Sequence, residues 1–169
     1  MDASHESNTQ AAVHRIRRGE GRTVRLFGLL EWKLVPDQTE GHYCLLETVV
    51  APGMGVPPHQ HVDQEAFYVL KGSLEVARLG PGGLEFFPAT AGDFINVPSN
   101  EVHGFRNSAG APAHILVMAT AGLGAFFLEA GVPVLPGEAA PTGPPSQAEI
   151  ERILAVAHKH GHRFLAPPA

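Results

Sequence analysis

Hydrophobic positions along this chain come in short bursts broken by turn-forming residues. From Thr23 to Val35 the apolar positions Leu26, Phe27, Leu29, Leu30 and Trp32 are strand-like, and Pro36-Asp37 turns the chain. His42 to Val50 is rich in apolar and β-branched residues, and Ala51-Pro52-Gly53 ends it. Beyond Pro57-Pro58 a histidine-bearing strand leads into the apolar run Ala66 to Leu70. Lys71-Gly72-Ser73 turns the chain into the alternating strand Leu74 to Leu79. Gly80-Pro81-Gly82-Gly83 then makes a hairpin with Leu84 to Phe87. Asp93 to Val97, Val102 to Asn107 and Ala113 to Thr120 complete the set. Eight or nine short strands at this spacing predict an all-β sandwich or small barrel.

The pattern changes after Ala121. Leu123 to Ala130 reads as a short helix, and its Phe126 and Phe127 either cap one mouth of the barrel or simply pack. Glu138 to Pro145 reads as a Pro-rich linker. Ser146 to His160 reads as an amphipathic helix: Ser146 and Glu149 form a capping box, and Gly161 stands at the left-handed C-cap position. Its apolar stripe of Ile150, Ile153, Leu154 and Ala157 is expected to pack on the outside of the β-structure. Residues 1–20 are polar and read as a flexible arm. The expected organisation is therefore an arm (1–20), a barrel (21–121) and a short helical C-terminal extension packed on the barrel (122–169).

Composition narrows the picture. At 169 residues, with 44% hydrophobic and 17% charged positions, the chain is a globular protein with a single core. A net charge of -5 without a long basic run argues against nucleic acid or an anionic membrane as partner. No stretch reaches membrane-spanning length, and the start carries no secretory pattern. The single Cys44 excludes an internal disulfide and reads as a buried, inert thiol. A cytoplasmic location is expected.

The chemistry concentrates in His59-Gln60-His61, Glu65 and His103. Histidines at i and i+2 of an extended segment point to one side, and Glu65 is placed to share it. Three imidazoles and one carboxylate make a ligand set for one divalent transition metal: Fe, Mn, Ni, Cu or Zn. Such a set leaves a coordination position open, as catalysis requires. Parity with His103 and Glu65 nominates Phe67, Phe105 and Asn107 as cavity wall, and neighbouring strands add Tyr43, Phe94 and Met118, an aromatic lining suited to a small hydrophobic molecule. His158 and His162 stand at i, i+4 but lie at a helix end, where cations are favourable anyway.

The spacing is more telling than the ligands alone. Gly53, His59, His61, Glu65 and Gly72 form one motif; Gly92, Pro98, His103 and Asn107 form a second. Together they resemble the two signature motifs of the cupin superfamily, small jelly-roll β-barrels. One position departs from the pattern: Asn100 stands where the family usually has glycine, and asparagine tolerates the left-handed conformation. Glu65 to Gly72, Pro98 to Asn107 and Gly122 to Gly131 resemble the single-domain, quercetin-dioxygenase-like branch. That resemblance implies a metal-dependent dioxygenase acting on a small hydrophobic or phenolic substrate, with Glu65 as general base, and a homodimer. The same fold and ligand set also serve redox-neutral isomerases, cyclases and lyases, and modules that bind a metal and a small ligand without turnover.

Overall fold

The computed structural model describes residue 13, residues 15–135 and residues 145–165. Most of the expected arm and residues 138–144 of the expected linker lie outside the described residues.

Among the described residues twelve strands form two facing sheets. In chain order they are β1 Thr23–Arg25, β2 Leu29–Leu34, β3 Tyr43–Val50, β4 Gly55–Gln60, β5 Glu65–Lys71, β6 Ser73–Gly80, β7 Gly83–Thr90, β8 Phe94–Val97, β9 His103–Arg106, β10 Ala113–Thr120, β11 Val132–Val134 and β12 Arg163–Phe164. The seven-stranded sheet has the order β11-β1-β2-β3-β10-β5-β8, and the five-stranded sheet β12-β4-β9-β6-β7. Strands adjacent in sequence, such as β4 and β5, fall in different sheets, which is the jelly-roll arrangement. Trp32, Leu46, Phe67, Val76 and Ile115 fill the space between the sheets.

The expected first strand is split. Leu26 N donates to Gly28 O (2.9 Å), and this bend separates β1 from β2. Helix α1 spans Ala121–Ala130 and α2 spans Gln147–Lys159. The capping box is present: Ser146 Oγ accepts from Glu149 N, and Ser146 N donates to Glu149 Oε2 (2.9 Å). Ile150, Ile153 and Ala157 are buried, Leu154 only half so, and α2 packs against α1. Glu149 also pairs with Arg25 of β1. The extension is not wholly helical. It contributes β11, paired with β1, and β12, paired with β4, both too short to show a periodicity.

Two local devices set the site. Asn100 takes a left-handed φ of 64°, and its N–H donates to His61 O (2.7 Å), so the residue in the usual glycine position ties the β8–β9 loop to the histidine segment. Gly104 lies so close to β4 that a Cβ would sit 2.7 Å from Val56 O, and this close approach seats His103 beside His59.

Asn107 is a bracket. Its Nδ2 donates to Val50 O (2.8 Å) and Ala111 O (2.9 Å), and its Oδ1 accepts from Ala109 N (2.9 Å). Asn107→Ala strands these buried backbone groups and is expected to cost about 2–4 kcal/mol of stability. Denaturant unfolding measures this; a loss under about 0.5 kcal/mol would contradict the bracket.

Candidate metal centre and cavity

Prolines shape the approach to the first histidine. Neither Pro57 nor Pro58 has an N–H to give the ladder, and the β4–β9 register shifts between Val56 and His59. Beyond the shift, His59 on β4 lies directly opposite His103 on β9. His61 follows one residue past the end of β4. Glu65 opens β5 in the other sheet, after a turn held by Thr120, whose N donates to Gln64 O (3.1 Å) and whose Oγ1 donates to Asp63 Oδ1 (2.6 Å). The three rings come together with centroids 4.3 Å (His59–His103), 4.8 Å (His61–His103) and 5.4 Å (His59–His61) apart.

The hydrogen bonds orient all three rings alike. The Nδ1 atoms of His59, His61 and His103 lie 2.9, 3.0 and 2.9 Å from the carbonyl oxygens of Pro57, Asp63 and Glu101. A carbonyl only accepts, so each Nδ1 carries its proton and each Nε2 is turned inward. Side-chain ligand atoms of the three histidines lie within 4.8 Å of one another, making a buried group able to hold a metal ion. His61 Nε2 is buried and has no hydrogen-bond partner among the described residues, as a nitrogen meant for a cation would be. The donor set fits a first-row divalent ion.

Glu65 stands against this group. Its Oε2 is 3.1 Å from His103 Nε2 and 3.5 Å from His61 Nε2. Burial acts to raise its pKa, but the hydrogen bond with His103 and the nearby His61 ring prevail and bring it down to about 2. The converse holds at His103: burial lowers it, Glu65 raises it, and the net direction is upward. For His59, burial and then the neighbouring His103 push the pKa down to about 3.

A metal ion must displace the proton that His103 Nε2 shares with Glu65. The raised pKa keeps that proton on to a higher pH than a free imidazole would hold it, so metal affinity is expected to fall as pH falls. It should rise by up to about tenfold per pH unit for this proton until pH passes the raised pKa, then level off. Metal titrations at a series of pH values check this; a profile that stays flat as pH falls through and below the ordinary histidine range would contradict it.

A cavity of about 400 Å³ opens over the group. His59, Glu65 and His103 line one part of it, and Phe105, Met54, Val117, Phe126 and Phe127 are among its apolar walls. Of the residues nominated by parity, Phe105 lines the cavity. Phe67 is buried behind it, in edge contact with Phe105 at 5.7 Å, and Asn107 is the bracket described above. Tyr43, Phe94 and Met118 are 41%, 61% and 45% exposed and face outward, away from the cavity. Their inward neighbours are Cys44, Ile95 and Val117. The pattern held the correction: Glu47, Asn96 and His114 share their parity and mark the outer face. Phe126 and Phe127 of α1 do wall the cavity. Cys44 is buried, and burial pushes its thiol up to about 12, so it stays protonated.

His158 and His162 do not come together. His158 is exposed, whereas His162 is buried against the cavity with its ring 4.9 Å from that of His61. Burial, with His61 second, pushes His162 down to about 4. Sequence reasoning placed His162 at a helix end; the two-residue β12 that turns it inward left no periodic trace.

Residues 46–119 match the family model Cupin_2, a cupin domain. Auxin-binding protein 1 of Arabidopsis thaliana is 36% identical over 73 residues, 40% of this chain and 37% of that protein, so the chain spans little more than a third of that relative. The polyketide cyclase RemF from Streptomyces resistomycificus superposes with a TM-score of 0.58 at 25% identity, over 65% of this chain and 80% of that one. A predicted oxalate decarboxylase from Thermotoga maritima superposes with a TM-score of 0.55 at 20% identity, over 63% and 98% of the two chains. The fold is the cupin jelly roll, and the matches support the cupin superfamily. Among the described residues no helix is long and apolar enough to cross a membrane.

Proposed function

We propose that this cupin-fold protein is a metal-dependent enzyme acting on an oxygenated, largely apolar small molecule, with a single divalent ion held by His59, His61, His103 and Glu65. The observation that supports this most is the set of three inward Nε2 atoms beside a buried carboxylate, opening into an aromatic-walled cavity. A structural metal site would need no such cavity. When bound, the ion would act as a Lewis acid on a substrate oxygen.

The residues divide the work. The three Nδ1–H···O=C bonds fix the imidazoles in position before any ligand arrives. The apolar walls exclude water and hold a ring-bearing substrate by burial. Among the described residues, every hydrogen bond of the Glu65 carboxylate goes through Oε2, which leaves Oε1 to take a proton from a substrate hydroxyl or an acidified carbon. The likeness to RemF favours a redox-neutral reaction of the cyclase kind on a polyketide-like substrate. Oxygen-dependent cleavage of a phenolic ring is the competing reading, favoured by a nitrogen and oxygen donor set that suits redox-active ions as well as zinc.

A panel of aromatic and poly-β-carbonyl compounds, offered to metal-loaded protein under nitrogen and under labelled oxygen, tests both. The redox-neutral reading expects turnover under nitrogen, with product of equal mass or short of water. Label in the product and no anaerobic turnover would overturn it for the dioxygenase reading. Binding without turnover in either atmosphere would overturn catalysis and leave a ligand-binding module.

A further inference from the structure

The barrel floor and the metal group account for one end of the cavity; the C-terminal strap supplies another polar group. After α2 the backbone reverses at Gly161, where φ is 77°, and His162 N donates to Ala157 O (2.9 Å). The chain then runs back along β4, with Phe164 in register with His59 and Leu165 N donating to Pro58 O (2.8 Å). Fixed at both ends, the strap sets two side chains. Phe164 stacks on the His59 ring at 5.3 Å, with the planes 26° apart. His162 turns inward: it is 5% exposed, its ring lies 4.2 Å from that of Phe126, and it lines the cavity together with His59, Glu65 and His103.

His162 has unmet hydrogen-bonding capacity. Its Nε2 is buried and has no hydrogen-bond partner among the described residues. Leaving such a group unpaired costs about 1–3 kcal/mol, which an apolar residue at this position would avoid. It does not belong to the group of histidines whose ligand atoms lie within 4.8 Å of one another, so an ion at that group does not satisfy it. Asp63, the nearby acid, is committed through Oδ1 to Thr120 Oγ1. The remaining candidate to complete it is a molecule in the cavity, and the neighbouring Phe126 and Phe164 rings suit a flat one.

We propose that His162 is a substrate-contacting residue that hydrogen-bonds a second oxygen of the molecule whose first oxygen lies at the metal group. The cavity then selects ring compounds with two separated oxygen functions over those with one. A phenolic hydroxyl both donates and accepts, so it pairs with either tautomer of the imidazole. This rests on the reading of the cavity as a site for oxygenated aromatic molecules.

The test is titration calorimetry of metal-loaded protein with β-naphthol and with a dihydroxynaphthalene carrying a further hydroxyl on the second ring. One added hydrogen bond predicts that the wild type prefers the diol by roughly three- to tenfold. His162→Phe should erase that preference while leaving metal stoichiometry unchanged, and His162→Gln should keep part of it. If His162→Phe does not fold, His162→Leu supplies the apolar variant. An unchanged preference in the apolar variant, no preference in the wild type, or loss of metal from the variant would each overturn the proposal while leaving an aromatic-binding cavity in place. Failure of both naphthols to bind the wild type would overturn the cavity reading and this proposal with it.

Discussion

His61→Ala should strip the protein of its metal. The His61 side chain is fully buried, its Nδ1 is held by Asp63 O, and its Nε2 has no partner among the described residues. Alanine removes one of three nitrogen ligands and leaves a void too enclosed for bulk water to replace it freely. Losing even a supporting contact outside the ligands costs tenfold to 100-fold in affinity, so losing a ligand should cost at least about 100-fold. The void and the lost Nδ1 hydrogen bond should also weaken folding, so the metal effect is read within each protein rather than between them. Metal should therefore raise the unfolding midpoint of the wild type and leave that of the variant unmoved. Elemental analysis and calorimetry measure the first effect, thermal unfolding with and without metal the second. Stoichiometric metal in His61→Ala would remove the metal-centre reading.

Glu65→Gln should separate binding from chemistry. Glutamine keeps the shape and a carbonyl oxygen, but it has no charge and takes no proton. A positioned general base contributes roughly 10²–10⁴ in rate, so turnover should fall by that factor. Metal affinity should fall less than in His61→Ala, because all three imidazoles stay in place. A second readout belongs to the metal-free protein. His103 owes its raised pKa to Glu65, against a burial that lowers it. In the variant the His103 pKa should therefore drop below its wild-type value, visible as a shift to lower pH in its NMR titration. Full turnover in Glu65→Gln would refute the base role; an unmoved His103 titration would refute the pairing.

Much of this was readable from local pattern. The β6–β7 hairpin and the capping box at Ser146 each depend on interactions within a few residues, so short windows contain the information. The short strands β11 and β12 were not readable, because three and two residues carry no period. Their existence depends on β1 and β4 offering partners from far along the chain. The inward or outward facing of Tyr43 and Met118 failed for another reason. Both parities of β3 and β10 carry large apolar side chains, and only the polar members of each set betray the outer face.

By itself the sequence singled out His59, His61, Glu65 and His103 and the two-fold alternation that lines up His59 with His61. Only the tertiary structure decided that Glu65 reaches them from the opposite sheet, that His103 lies across from His59 and that His162, not His158, enters the cavity. The physical reason is range. Alternation and capping are settled by backbone sterics and hydrogen bonds within a few residues. Meetings across 38 residues, as between Glu65 and His103, are settled by which sheets can bury their apolar faces together.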